Sequence, residues 1–353
     1  MEPLLEQFAY TLPDELIART PLAQRDSSRL FVYNTATDEV THTTFDRLAL
    51  FLPKKSLLVM NRTKVVPARV LLRKETGGGV EVLFLLNEGA LVPGEIRALV
   101  DRRVNPGQKL FFTNGAAILV LRQDEKIFTF GFDFSREELF SLLEGEGVTP
   151  LPKYLGSSGL SEEELRIRYQ TVFANEAGSV AAPTASLHFT PELLSSLAGK
   201  GVDVATLFLH VGLGTFSPFT KEQYDTRTLF REEYTIPMQA KEKIEAAKRE
   251  GVAIVAVGTT TTRTLESAAV AASGGALLRA GPGSTDIFIR DPYRFVVADH
   301  LITNFHLPKS SLMLLVDAFL KDKNAKRSVR ELYEVAVDEK YRFFSFGDAM
   351  LLC

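Results

Sequence analysis

The chain has 353 residues, 45% hydrophobic and 24% charged, an ordinary balance for a globular protein of roughly two domains. Its 41 basic and 44 acidic residues give a formal charge of −3, which excludes a uniformly basic nucleic-acid binder and confines any polyanion site to a local patch. The single cysteine, Cys353, excludes an intrachain disulfide and a cysteine zinc cluster.

The first residues, Met1 to Glu6, have neither the basic start nor the apolar core of a signal peptide. The longer apolar runs, such as Val252 to Val257 and Leu312 to Val316, fall far short of a membrane span, so a cytoplasmic protein is expected. Residues 1–66 are too few to fold alone. Between about Pro67 and Pro150 the character changes to short β-rich runs: Ala68–Leu72, Val80–Phe84, Leu110–Phe112, Ala117–Val120 and Ile127–Phe130. Gly77-Gly78-Gly79, Asn105-Pro106-Gly107 and Asn114-Gly115 separate them, and Asn-Gly between apolar runs signals a hairpin. This spacing predicts a small antiparallel barrel closed by a helix over 136–143.

After Leu151 strands alternate with helices. Thr190-Pro191 starts a helix, with Thr as cap and Pro at the first helical position. A buried strand follows over 202–209, then a polar helix over 241–250, a strand over 252–257 and a helix over 263–272. Leu301-Ile302-Thr303 precedes a loop, and Ser310 or Ser311 caps a helix running to Leu320. The pattern predicts an α/β main domain, residues 1–69 and 150–353, with an inserted small antiparallel β-barrel domain over 70–149.

In open α/β sheets ligands bind beyond the carboxyl ends of the strands. Four polar loops lie next to such elements: 178–189, 210–216, 258–263 and 304–311. The third, Gly258-Thr259-Thr260-Thr261-Thr262-Arg263, places backbone N–H groups at a helix start, which suits a carboxylate or phosphate; as a plain threonine-capped turn it would need no ligand. It lacks the spacing of a Walker A loop. In the second, Gly212 and Gly214 let the backbone approach a ligand, or simply form a tight turn.

Three of the five histidines, His188, His210 and His306, sit in these loops and are candidates for proton transfer. No two of them show the HxH or HxxxH spacing of a zinc site, so no metal is expected. Basic residues cluster at Arg62, Lys64, Arg69, Arg73 and Lys74, and again at Lys321, Lys323, Lys326, Arg327 and Arg330. Either group is a solvated face or a phosphate contact, and the first is the preferred RNA patch. Tyr154, Tyr169, Phe189, Phe216 and Phe305 flank the loops, as core residues or as stacking surfaces for a base.

Taken in order, these stretches resemble one family. They include Leu12 to Ala18, Arg25-Asp26-Ser27-Ser28-Arg29-Leu30, Val66-Pro67-Ala68-Arg69, Arg168-Tyr169-Gln170-Thr171-Val172 and Gly178 to Thr184. They continue with Leu187 to Glu192, His210 to Phe216, Val257 to Thr260, Arg263 to Glu266, Thr303 to Pro308 and Tyr341 to Leu351. Over nearly its full length the chain resembles the S-adenosylmethionine:tRNA ribosyltransferase-isomerases of queuosine synthesis. The resemblance implies two substrates, S-adenosylmethionine and tRNA carrying 7-aminomethyl-7-deazaguanine at the wobble position. It implies epoxyqueuosine-tRNA, adenine and methionine as products. S-adenosylmethionine is consumed, with no cofactor and no metal, and a monomer is expected. His188, His210 and His306 are the catalytic candidates. Thr184, Gly212, Gly214, Thr259, Thr260, Arg263 and Asn304 are the substrate-binding candidates, with Thr259, Thr260 and Arg263 set against the methionine carboxylate.

The sequence departs from the family pattern in places. Asn61-Arg62-Thr63-Lys64 replaces Asn-Asp-Thr-Arg, Ser186 replaces a glycine, and Ser284 stands where tryptophan is frequent. A segment that usually reads His-x-Met-His-x-Glu is here Arg227-Thr228-Leu229-Phe230-Arg231-Glu232. Two other readings follow from that loss: a catalytically silent tRNA-binding homologue, or a related S-adenosylmethionine-dependent transferase acting on another amine.

Overall fold

The computed structural model describes residues 5–86, 93–152, 155–156, 158–212, 214, 219–272 and 275–353. Ser56–Asn61 explains the layout of the main body. This strand reads Ser-Leu-Leu-Val-Met-Asn and is buried at every position, so it needs cover on both faces. It lies in the middle of a sheet whose order is Gly281–Ile287, Thr228–Ile236, Val202–Leu209, Ser56–Asn61, Ala253–Val257, His300–Asn304, Ala349–Leu352, Arg29–Asn34 and Glu39–Thr44. The four strands 202–209, 56–61, 253–257 and 300–304 run parallel. Both edges are antiparallel.

Alternate residues of a strand point to opposite faces, and the core divides accordingly. Leu57, Val59, Ile254 and Ala256 face one cluster, roofed by the helices Met238–Arg249, Thr259–Ala268, Ser311–Asp322 and Val329–Asp338. Leu58, Met60, Val255 and Val257 face the other, covered by Pro191–Gly199 and the short helical turn Phe45–Leu50.

The inserted body is a closed antiparallel barrel of Arg69–Lys74, Gly79–Leu85, Glu95–Val100, Lys109–Phe111, Ala117–Asp124 and Ile127–Gly131. Its core holds Phe84, Phe112 and Phe130, and the helix Arg136–Glu146 adds Leu139 and Leu143. The Ser135–Glu138 capping box starts that helix. Where the chain enters and leaves the barrel, the backbones of Arg69 and Val148 hydrogen-bond to each other. The α/β body with its inserted barrel is thus the architecture that the alternating pattern predicts.

Some elements differ from the sequence reading. Glu95–Val100, Thr228–Ile236, Gly281–Ile287 and Ala349–Leu352 are strands with no expectation behind them. The helix expected over 263–272 runs instead from Thr259 to Ala268, and Ala269–Ala272 pairs as a strand with Gly275–Leu278. Threonine has weak helix propensity, so four in a row read as loop. Here the Thr262 and Thr264 hydroxyls donate to the carbonyls of Gly258 and Thr260, and Thr259, Thr261, Thr262 and Thr264 are buried. Tertiary packing overrides the local preference.

Candidate active site

The four parallel strands end along one edge, at Asn61, Leu209, Val257 and Asn304. Beyond that edge lies a cavity of about 610 Å³, within the size range of small-molecule sites. Seven of the expected residues line it: Thr184, Gly214, Thr259, Thr260, Arg263, Asn304 and His306. His188, His210 and Gly212 are not among its lining residues. Leu213, Thr215, Phe216 and Tyr154 lie outside the described residues.

Gly258 makes the entry to the third loop possible. It stands at φ +90°, a conformation other residues rarely adopt, and turns the chain from strand 253–257 directly into the helix. No side chain caps that helix start, and Gly258, Thr259 and Thr260 line the cavity. Uncapped N–H groups and the positive end of the helix dipole therefore face the empty volume.

Arg263 follows one turn later, and its expected partner is not the one found. Its guanidinium Nη1 donates to Glu232 Oε2, and its Nε donates to the Ile287 carbonyl at 3.2 Å. Glu232 Oε1 accepts from the Gly212 N–H at 3.1 Å. Both side chains are buried at the cavity wall, and Arg263 Nη2 has no hydrogen-bond partner. The pair is internally neutral, so the helix start rather than Arg263 is the cavity's unopposed positive element. Glu232 is the one residue of the altered segment that matches the resemblance, but its role was not legible: it sits in a strand of mixed exposure, and nothing local couples it to an arginine 31 residues away.

The three histidines occupy three different surroundings. His306 lines the cavity, with Nε2 2.8 Å from Thr303 Oγ1 and its backbone N–H donating to the Tyr333 hydroxyl at 3.2 Å. Burial pushes its pKa down to about 3, so the ring is neutral at pH 7. His188 lies behind the cavity wall, 5% exposed. Its Nδ1 is 2.8 Å from Ser28 Oγ, and its Nε2 is 3.3 Å from the Asn304 amide nitrogen. The amide donates, so Nε2 accepts and Nδ1 carries the proton. Asn304 Oδ1 in turn accepts from Thr184 Oγ1 at 2.9 Å. His188 thus holds the two polar groups Asn304 and Thr184, which do face the cavity. Burial first, then the charge of Arg342, lowers its pKa to about 4. His210 bonds Thr63 Oγ1 at 2.8 Å and packs flat against Gly178, where a Cβ would come within 2.9 Å of the ring. Burial also lowers its pKa, against the opposing charge of Glu176. Among the described residues, no group of three or more His, Cys, Asp or Glu is placed to hold a metal.

Among the described residues, the departures from the family pattern that touch the cavity are Leu229 and Phe230. Phe230 lines it with Leu229 and Phe219 as an apolar wall. Arg227 stands at the end of Lys221–Thr226 and donates to the carbonyls of Pro292, Asp291 and Arg290, outside the cavity. Arg231 is exposed. The Asn61 amide fastens the backbone of Leu209, and Arg62 stacks on Phe208 at 4.1 Å. Ser186 is buried and Ser284 half-buried.

The two basic runs are largely committed elsewhere. Arg69 pairs with Glu81 and Lys74 donates to the Arg103 carbonyl, leaving Lys64 and Arg73 exposed in the first run. In the second, Lys321, Lys323, Arg327 and Arg330 all make local ion pairs. Among the aromatics, Tyr169 and Phe305 line the cavity, whereas Phe189 is core, edge-on to Phe45.

The sequence matches the family described as "Queuosine biosynthesis protein" over residues 5–352. The chain belongs to that family. It is 45% identical over 351 residues to the S-adenosylmethionine:tRNA ribosyltransferase-isomerase of Carboxydothermus hydrogenoformans, covering 99% of each chain. It is 43% identical to the protein of the same name from Trichlorobacter lovleyi, again over 99% of each. Its fold is similar to the crystal structure of S-adenosylmethionine tRNA ribosyltransferase from Thermotoga maritima, with a TM-score of 0.53 and 32% identity over 98% of this chain and 100% of that one. In this member of the queuosine biosynthesis family, Phe230 stands where the resemblance leads one to expect histidine.

Proposed function

We propose that this queuosine biosynthesis protein transfers and isomerises the ribosyl group of S-adenosylmethionine onto 7-aminomethyl-7-deazaguanine in tRNA, releasing adenine and methionine. One observation carries the reading: the cavity beyond the four parallel strand ends joins an uncapped helix start, a neutral buried imidazole and an apolar wall. Relatives at 45% and 43% identity carry the corresponding name. In this reading the protein works in the cytoplasm as a monomer, and S-adenosylmethionine is consumed with no separate cofactor. Among the described residues no helix is long and apolar enough to cross a membrane.

The methionine carboxylate sits at the N–H groups of Thr259 and Thr260, where the helix dipole favours an anion. Phe230, Leu229 and Phe219 receive the adenine face and exclude water. Thr184 and Asn304, held by His188, hydrogen-bond the ribose hydroxyls. The sulfonium acidifies the C5′–H, and neutral His306 is the residue placed to take that proton. Adenine leaves as it is protonated on nitrogen. The aminomethyl nitrogen bonds to C1′ in place of adenine and loses a proton. The C5′ electron pair bonds to C1′ as the C1′–O4′ bond breaks. The freed O4′, still on C4′, closes the epoxide on C5′ as the carbon–sulfur bond breaks to free methionine. Glu232 and Arg263 hold each other and, through the Gly212 N–H, the backbone of the second loop.

The test is release of adenine and methionine, followed by chromatography, with tRNA bearing the aminomethyl base, with unmodified tRNA and with none. Release only with the modified tRNA is expected. Equal release in all three overturns the substrate assignment, and no release in any leaves a binding protein.

A further inference from the structure

Behind the cavity wall lies a second, small crevice. Arg25, Ser28, Arg168 and His188 line it, and it shares Ser345 with the main cavity. Its charge is lopsided. Arg25 and Arg168 are close enough that Arg168 is the second cause, after burial, of the lowered Arg25 pKa. Arg342 flanks them and donates to the Thr20 carbonyl, and its Nη1 is buried with no partner. None of the three is in an ion pair among the described residues, whereas many other basic side chains are. Two carboxylates lie near: Asp348, which accepts the backbone N–H groups of Arg29 and Arg342 and favours the Arg342 cation, and Glu164, which stands one turn before Arg168 and caps Ser161.

The two lining guanidiniums are fixed by main chain. Arg25 donates to the carbonyls of Gln170, Leu187 and Ile167, and Arg168 to those of Leu22 and Ala23. An arginine has five N–H groups, so among the described residues these bonds use five of the ten and leave five uncommitted. Carbonyl partners orient a guanidinium without neutralising it. Rigid, charged donors in fork geometry match the oxygens of a phosphate. The exposed Ile167, beside them on the rim, adds apolar surface.

We infer that Arg25 and Arg168 form a phosphate-binding site, taking a backbone phosphodiester of the RNA whose base enters the adjoining cavity. The inference rests on the proposed RNA substrate and says where its backbone lies. The position fits, because His188 joins crevice to cavity through its hydrogen bond to Asn304. The crevice itself holds only about 20 Å³, so the phosphate sits at its mouth with one oxygen toward the guanidiniums, on the far side of His188 from the catalytic space. In a chain of charge −3 any polyanion site is a local patch, and this crevice supplies one in addition to the exposed Lys64 and Arg73 of the first basic run.

The experiment measures binding of an anticodon stem-loop RNA by fluorescence anisotropy between about 50 and 200 mM salt. The proteins are the wild type, Arg168→Gln, Arg25→Gln and the distant control Arg330→Gln. Each lost phosphate contact should flatten the log–log salt slope by about 0.7, the single-strand value, and weaken binding about tenfold at low salt. Arg330→Gln should leave both unchanged. Because Arg25 and Arg168 also hold loops, a second arm tests the wild type and Arg168→Gln with RNAs neutralised at single linkages by methylphosphonate. One linkage should reproduce the loss of slope, and it should cost Arg168→Gln nothing further. A folded Arg168→Gln with the wild-type slope, or no linkage that matters, overturns the inference. So does an arm in which inorganic phosphate raises the melting temperature of the wild type but not of Arg168→Gln while RNA binding is unaffected, which would mark a free-phosphate site. Adenine release measured alongside separates the two claims. Lost slope with no release from any RNA defeats the proposed reaction and spares the site, whereas normal turnover with an intact slope does the reverse.

Discussion

Lowering the pH from 7 to 5 should cost this protein stability through two particular histidines. His188 and His306 are buried, with folded pKa values pushed to about 4 and about 3. An unfolded histidine titrates near about 6.5. Between those limits the unfolded chain binds more protons, so the stability these groups contribute is present above the unfolded value and is lost as pH falls below it. At pH 5 an unfolded histidine is almost wholly protonated while both folded rings stay mostly neutral. The loss from pH 7 is then about 2 kcal/mol per ring, set almost entirely by the unfolded value. For the pair it is about 4 kcal/mol, a large share of a typical net stability of roughly 5–15 kcal/mol. The assay is urea unfolding by circular dichroism at pH 7, 6 and 5 for the wild type, His188→Asn, His306→Asn and the double variant. Comparing the pH dependence between proteins cancels the carboxylates, and also His210 and His300, which burial pulls down in the same direction. Each single variant should remove about half of the extra acid loss and the double variant nearly all of it. Parallel curves for the wild type and the double variant would show that these rings take up protons in the folded protein, and the argument from burial would fail.

Three substitutions probe the site more locally. His306→Gln should keep the fold and S-adenosylmethionine binding but slow adenine release roughly 10²- to 10⁴-fold, as single-turnover kinetics will read; His210→Gln, outside the cavity, should change the rate far less, and full turnover by His306→Gln would refute the assignment. Glu232→Gln leaves the Arg263 charge buried without its partner and should lower stability by about 3–5 kcal/mol in denaturant titration, whereas a change near zero would mean the pair is hydrated in solution. Gly178→Ala places a Cβ against the His210 ring and should cost about 1–3 kcal/mol by overpacking, seen as a lower melting temperature.

The parts of the fold that were legible in the sequence are those dictated by local chemistry. Asn114-Gly115 marks a barrel hairpin because its turn needs those residues, and Thr190 caps Pro191–Gly199 through the Leu193 N–H. The strand Val202–Leu209 is where its unbroken apolar run puts it. What failed to show is set by partners far away in sequence. Thr228–Ile236 alternates too weakly to read as a strand until it pairs with Gly281–Ile287. The threonines at 259–262 looked like loop because their helix depends on burial. In the site, the loops were visible as clusters of glycine, hydroxyl and imidazole. Which imidazole faces the cavity was not: His188, His210 and His306 each stand between two apolar residues in sequence, and only the sheet's geometry separates them. The Glu232–Arg263 pair and the Arg25–Arg168 crevice were invisible for the same reason, since their residues lie 31 and 143 positions apart.

The most direct test of the account follows the sugar itself. S-adenosylmethionine labelled in the ribose carbons is incubated with the protein and tRNA carrying 7-aminomethyl-7-deazaguanine, the RNA is digested, and the modified nucleoside is weighed by mass spectrometry. The account predicts one labelled ribosyl-derived group on that base for each adenine released. Adenine release with all the label left in solution, or label on an unmodified base, would contradict it.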